Sequence, residues 1–265
     1  MMFKHIELFV QNRLPELPEN HAFYFILLFR RKWMKQYFSD EEARRLFRSD
    51  EMKMTDFIVY GDNKDRWMRN IRLKVGAPLH PDFNFVFWTK GQEFNIPDLY
   101  AKYPASFSLM VKYNPSDLQK VAKTFLSGAI RDILENPAGF YYNIIPKWKS
   151  LVEKTRASSS KKYFLIDIDY QFKDYENFQM YLNDLKSKLA KVGALHLFHY
   201  ACTTPLGGLH LIFETENDFI KKIRLDNKEN IIRLPYEIKF GSFLTHVPGV
   251  NPKIVDITDY FKQGK

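Results

Sequence analysis

Two carboxylates that alternate along an apolar strand can grip one divalent cation. The segment Tyr163-Phe-Leu-Ile-Asp167-Ile-Asp169-Tyr170 has that form. Side chains two apart on a strand share a face, so Asp167 and Asp169 point the same way. Burying like charges is costly unless a cation or a donor pairs them. Hard cations such as Mg²⁺ or Mn²⁺ bind through a few carboxylates together with phosphate oxygens. An isolated Asp-x-Asp is also common at solvated strand ends and turns. A second segment sets this one apart: Thr203-Thr-Pro-Leu-Gly207-Gly208-Leu-His210-Leu-Ile-Phe-Glu214 delivers one histidine from a glycine turn into another apolar strand. Gly207 and Gly208 carry no side chain and would let the backbone approach phosphates closely. A plain hairpin turn would use them equally well. The chemistry suggested is metal-dependent nucleotidyl transfer.

The elements that must position these residues are clearest after residue 105. Residues 107–113 read as a strand. Asn114-Pro115-Ser116 opens a helix whose apolar positions are Leu118, Val121, Ala122, Phe125, Leu126, Ala129, Ile130 and Ile133, and Asn136-Pro137 closes it. A small, polar, basic loop, 154–162, then enters the Asp-x-Asp strand. Lys173-Asp174 starts a second helix with Phe178, Tyr181, Leu182, Leu185 and Leu189 on its apolar face and Gly193 as its stop. Strands follow at 195–202, 209–214 and 236–240, with a short basic helix and loop over 219–233. The order β-α-β-α-β-β-β predicts an α+β domain with a mixed sheet and helices on one face. Residues 1–105 read as more irregular. Strands are expected at 22–29, 57–60, 71–75 and 83–89, and Ser39 or Asp40 caps a short helix through residue 48.

A chain of 265 residues, 45% hydrophobic and 27% charged, has the composition of a globular protein of one large domain or two small ones. No run approaches the ~20 apolar residues of a membrane span. The single cysteine, Cys202, excludes an internal disulfide and a cysteine-rich zinc site. With no signal-peptide pattern, it sets the expectation of a reducing cytoplasm, bacterial or that of a virus-infected host. A formal net charge of +9 and 16% aromatic residues favour a polyanionic, base-bearing partner.

Taken together, the two segments resemble motifs of the archaeo-eukaryotic primase superfamily, which includes the primase-polymerases of plasmids and phages. Leu165-Ile-Asp167-Ile-Asp169 resembles the first motif, and Thr204-Pro-Leu-Gly-Gly-Leu-His210 resembles the second in nearly every position. The third motif is a carboxylate on a later strand. Glu237, in Tyr236-Glu-Ile-Lys239-Phe240, fits by strand context and by its distance after the histidine, although many members have Asp; Asp256 and Asp259 compete with it. The resemblance covers residues 105–250 well and 1–105 hardly. It implies a two-layer core, an RRM-like half plus a smaller α/β half, over 106–265, with 1–105 as a family-specific region packed beside it. It implies that Asp167, Asp169 and Glu237 hold Mg²⁺ or Mn²⁺ and that His210 donates to a triphosphate oxygen. The substrates would be nucleoside triphosphates and a nucleic-acid template, with a helicase or other replication partner encoded elsewhere.

Around this set, Ser160 and Lys161, with Arg156, Ser158, Ser159 and Lys162, are candidate phosphate donors or a surface loop. Lys239 either neutralises the triphosphate or merely flanks Glu237. Arg30-Arg31-Lys32-Trp33 and Arg66-Trp67-Met-Arg69 interleave cations with an aromatic, as template grooves do, and as solvated basic faces also do. His246 is a weaker candidate for the site. His196 and His199, three apart on one strand, face opposite ways and make no metal pair. The expected function is a primase-polymerase that makes or extends primers. The alternatives are a non-catalytic nucleic-acid-binding protein of the same fold and a metal-dependent nuclease.

Overall fold

A computed structural model describes residues 2–154, 160–172, 174–224 and 230–262 of the chain. Helix α1 (Met2–Asn12) leads into β1 (His21–Arg30), whose inner residues are all buried. Such a strand must be covered on both faces. Phe23, Phe25, Leu27 and Phe29 enter the large core, while Tyr24, Ile26 and Leu28 enter a smaller one behind it. Helix α2 (Asp40–Leu46) starts at a capping box between Ser39 and Glu42. Next come β2 (Glu51–Tyr60) and α3 (Lys64–Leu79), then the hairpin of β3 (Val86–Thr89) and β4 (Gln92–Asn95). Helix α4 (Ile96–Lys102) precedes β5 (Phe107–Lys112) and the short β6 (Ser116–Asp117). Helices α5 (Leu118–Glu135) and α6 (Pro137–Lys154) form a hairpin. The remainder is β7 (Tyr163–Ile168), α7 (Tyr175–Lys191), β8 (Phe198–Thr203), β9 (Leu209–Glu214), α8 (Asn217–Arg224), β10 (Tyr236–Phe240), β11 (Leu244–Val247) and α9 (Thr258–Lys262).

Two larger sheets organise these elements. The first has the order β11-β5-β1-β2, with β6 also on β1; the second has the order β10-β7-β9-β8. The run β7-α7-β8-β9-α8-β10 is a β-α-β-β-α-β unit in which β9 lies between β7 and β8. Alternation splits β7 cleanly. Phe164, Ile166 and Ile168 pack under α7, α8 and α9, whereas Tyr163 and Leu165 join the large core of the first sheet. Buried amides tie distant segments together, and Asn114 joins the two sheets. Asn114 donates to the carbonyls of Tyr163 and Gly241 at 2.8 and 3.0 Å and accepts the Tyr163 N–H at 3.1 Å. Asn251 donates to the carbonyls of Ala105 and Phe107, both at 2.7 Å.

The α+β class holds, with four corrections. Every strand pairing among the described residues is antiparallel, so neither large sheet is mixed. The division at residue 105 cuts through the first sheet, because β1 pairs with β5 across it and β5 pairs with β11. Residues 71–75 are helical: Trp67, Met68, Ile71, Val75 and Leu79 recur at helical spacing and are buried, and Asn63 caps the start. The helix expected from Pro115 begins at Leu118, where the Asp117 side chain accepts from two N–H groups. It also packs less fully than its pattern predicts. Phe125 meets Trp148 of α6, but Leu126 and Ile130 are 60% and 64% exposed. Among the described residues no helix is long and apolar enough to cross a membrane.

Tyr113, fully buried on the chain leaving β5, hydrogen-bonds to His199 of β8 at 2.5 Å. Burial pushes the His199 imidazole down to about 4, and Lys262, Lys162 and Arg13 add repulsion. Unfolded histidine protonates near 6.5, whereas the folded group refuses the proton until about 4. This group's stabilisation is therefore full above pH ~6.5 and lost as pH falls from there towards 4. His246 is pushed down as well and acts in the same direction. We expect His199→Gln to flatten the fall in urea-denaturation stability between pH 7 and 5; an unchanged slope would contradict the assignment.

Candidate active site

Register builds the site. Glu237 of β10 lies opposite Asp167 of β7, and Asp167 lies opposite His210 of β9. Directly opposed residues have Cβ atoms about 4.5–5.5 Å apart, so three strands present one row of functional side chains. Lys239, two residues beyond Glu237, shares its face. Its Nζ lies 2.5 Å from Asp167 Oδ2 and 3.3 Å from Glu237 Oε2, so one ammonium bridges both carboxylates. On the other side, His210 Nε2 lies 3.4 Å from Asp167 Oδ1, and its Nδ1 lies 3.1 Å from Thr245 Oγ1 on β11. An ionised carboxylate only accepts, so a proton on Nε2 is the one that would face Asp167, with the Thr245 hydroxyl then donating to Nδ1. The His246 ring packs behind at 4.9 Å, tilted by 32°, with its Nδ1 2.7 Å from Ser108 Oγ.

The electrostatics follow from these contacts. Burial alone would push the Asp167 carboxyl up, but His210 and Lys239 outweigh it and hold the group well below the usual carboxylate range. Burial lowers the Lys239 ammonium, but Asp167 and Glu237 more than offset this and raise it. Burial keeps His246 neutral, assisted by repulsion from His210 and Arg30. Cys202 continues the row opposite His210, but burial pushes its thiol up to about 12 and leaves it inert as a nucleophile.

The row opens into a cleft of about 630 Å³ between the two sheets. Asp167, Asp169, His210 and Lys239 line one side, and Arg30 at the end of β1 with Lys32 and Trp33 of the 3-10 helix that follows it (Arg31–Gln36) line the other. The Arg30 guanidinium is held by Glu51 at 2.5 Å and lies 5.3 Å over the Trp33 ring. Two carboxylates and several cations facing one space suit a ligand that carries both a metal and phosphates.

The sequence-derived candidates divide sharply. Asp169 lies just past the end of β7 and is exposed, yet it reaches the same cleft. The Glu237 side chain is 74% exposed and stands outside the cleft lining, joined to Asp167 through Lys239. Asp256 and Asp259 are both engaged by Arg13, at 2.7 and 2.8 Å, and stand outside the cleft lining. Gly207 and Gly208 do not line it either; Thr204, Pro205 and Leu206 do. The Gly208 N–H is committed to Thr204 Oγ1 at 3.0 Å, and its close approach is to the Ile168 carbonyl. Ser160 and Lys161 precede β7, at the strand end away from Asp167, and Ser160 lines a different cavity. Arg156, Ser158 and Ser159 lie outside the described residues. Arg31 is spent on Asp50 and the Phe47 carbonyl. Trp33 is only 2% exposed and packs edge-on to His246, so it offers no open stacking face. Arg66 and Arg69 belong to α3, whose Trp67 packs on Phe23, on the face of β1 opposite Tyr24, Ile26 and Leu28. Nothing in the sequence marks Thr245 as a site residue, although the alternation Leu244-Thr-His-Val247 is a strand signal.

Among the described residues no group of three or more His, Cys, Asp or Glu side chains forms a ready metal cage. What the cleft holds is a pair of carboxylates, with a third, Glu237, outside its lining. No family model, no curated protein and no solved structure matches the chain.

The turn gives a direct test. A Cβ on residue 208 would meet the Ile168 carbonyl oxygen at 2.3 Å. Gly208→Ala therefore forces backbone apart at the end of β7, and overpacking of this kind costs about 1–3 kcal/mol. Gly207→Ala has no such neighbour but must hold a φ of +90°, which favours glycine. We expect urea denaturation to show a loss in that range for Gly208→Ala; wild-type stability would overturn the reading of Gly208 as a packing glycine.

Proposed function

We propose that the chain is a metal-dependent nucleotidyltransferase of the primase-polymerase type, which joins nucleoside triphosphates on a nucleic-acid template. The observation that carries this reading is the in-register row Glu237–Asp167–His210, of which Asp167 and His210 line a cleft whose far wall is Arg30 and Lys32. The order β10-β7-β9-β8 of the β-α-β-β-α-β unit agrees with the RRM-like half that the sequence resemblance implies.

The donor set fits Mg²⁺ or Mn²⁺. Asp167 and Asp169 supply hard oxygens to one cleft, Glu237 lies within a single ammonium's reach of Asp167, and the open side leaves room for water and phosphate oxygens. A bound ion would neutralise the triphosphate and favour ionisation of the attacking hydroxyl. The overall step joins a 3′-oxygen to the α-phosphorus and expels pyrophosphate; the hydroxyl proton passes to solvent.

The side chains have distinct tasks. Lys239 now neutralises Asp167 and Glu237 as a single positive charge in the position a metal would claim. Relieved of that task, its ammonium can turn to a phosphate oxygen. His210 can offer an Nε2–H whose direction is set by Thr245 and by the adjacent, neutral His246. Arg30, oriented by Glu51 and Trp33, presents a planar donor fork suited to phosphate.

Incubation with primed and unprimed templates, labelled nucleotides and Mn²⁺ tests the reading. Polymer growth is expected, falling at least ~100-fold in Asp167→Asn and Asp169→Asn while far-ultraviolet circular dichroism is retained. Loss of only a few-fold in both variants would remove the metal assignment. Shortening of the template would make the protein a nuclease, and neither outcome would leave a binding protein.

A second prediction concerns Lys239. If its ammonium competes with the metal for Asp167, then Lys239→Met should bind Mn²⁺ several-fold more tightly by electron paramagnetic resonance, with a raised nucleotide KM. Unchanged or weaker Mn²⁺ binding would show that Lys239 does not occupy the metal's position.

A further inference from the structure

Beyond the Thr204–Gly207 turn lies a second groove, of about 540 Å³. Thr204, Pro205 and Leu206 wall both spaces, so one turn separates the groove from the cleft. The chain also links them: Asp169 lines the cleft, and three residues later Phe172 lines the groove. That stretch spans at most ~11 Å, the scale of a short run of nucleotides.

The lining is aromatic and basic. The Phe172 ring is propped edge-on by Tyr170 and Phe178, each at 5.0 Å, so it is preset rather than mobile. Tyr175, at the start of α7, is 77% exposed. Lys35 and Lys253 bring positive charge to the rim. Among the described lining residues the one carboxylate is Asp174, which caps α7 by accepting from the Asn177 N–H and side-chain amide at 2.8 Å each. The pairing of Lys35 with Asp40 at 3.2 Å is between half-exposed side chains, an arrangement that holds a lysine weakly.

Aromatic faces flanked by lysines match the chemistry of single-stranded nucleic acid, with Asp174 as the one opposing charge among the described lining residues. Bases stack on the rings, and backbone phosphates meet the ammonium groups. We propose that this groove binds the single strand next to the reacting nucleotide, with bases on Phe172 and Tyr175 and phosphates on Lys35 and Lys253. Stacking and phosphate contact read no base edges, so binding is tolerant of sequence. The inference rests on the nucleotidyl-transfer reading of the adjoining cleft.

The test is fluorescence anisotropy of a labelled oligothymidylate, without divalent cation or nucleotide, so that the carboxylates need not function. Tyr175→Ala should raise Kd about 10-fold, the worth of one stacked base. Lys253→Gln should reduce the slope of log affinity against log salt by about 0.7, the value for one phosphate contact on a single strand. Arg66→Gln, which removes the same charge on the far face, should change neither. Wild-type behaviour of both groove variants, or no binding by the unmodified protein, would overturn the proposal. Binding through the groove without polymer growth would remove the catalytic reading and leave the groove standing. Polymer growth with unaffected groove variants would do the reverse.

Discussion

Asp167 stays ionised although only 21% of its side chain is exposed. An anion moved that far from water must be compensated, and the compensation comes from three directions. Lys239 reaches it from β10, His210 from β9, and Thr245 fixes the histidine from the other sheet. The site is thus a negative charge with a removable positive partner. A buried carboxylate neutralised by a fixed arginine would be a closed structural pair. One neutralised by a flexible, half-exposed lysine at the mouth of a cleft can exchange its partner for another cation.

The same residue explains why the strand register cannot slip. On β7, Tyr163 and Leu165 enter one core and Phe164, Ile166 and Ile168 the other, and Asp167 continues the first set to where that face opens into the cleft. A shift of one residue would drive Asp167 under α7 and bring apolar side chains to the cleft. Each fully buried side chain of this size contributes about 1.5–3 kcal/mol, so the two cores together hold the carboxylate in place. Gly208 extends the constraint into the turn. Its missing side chain lets the motif's backbone close on the Ile168 carbonyl, which keeps His210 opposite Asp167.

The junction between the sheets is built from polar groups that leave little slack. Asn114 bonds Tyr163 of β7 and the Gly241 carbonyl, Tyr200 of β8 donates to the His246 carbonyl of β11 at 3.1 Å, and His210 of β9 meets Thr245 of β11. Within the first sheet Asn251 holds the start of β5, and the buried amine of Lys112 donates to Ser116 Oγ and the Val152 carbonyl, both at 2.7 Å. Burial pushes that amine down to about 8. Each such group is costly if left unpaired, so the sheets cannot slide without breaking several bonds together. Because His210 and Asp167 stand on one sheet and Thr245 and Arg30 on the other, this rigidity sets the width of the cleft.

Local signals were legible in the sequence where their cause was local. The helix start at Ser39 or Asp40, the Asp174 cap and Gly193 stop of α7, and the apolar strand carrying Asp167 all depend on neighbours a few residues away. The histidine turn was visible for the same reason. Residues 71–75 mimic a strand because the run is short and carries Ile and Val, and only the longer period from Trp67 to Leu79 shows the helix. What sequence could not supply was which strands lie side by side. Alternation assigns each side chain to a face, but the partner across the sheet is chosen by burial and hydrogen bonding between residues far apart in the chain. Tertiary structure therefore decided that Glu237 meets Asp167, that Arg13 takes Asp256 and Asp259 away, and that Ser160 and Lys161 sit at the wrong end of β7. It also brought Thr245 to His210, a contact that exists only because β11 pairs with β5 in the opposite sheet.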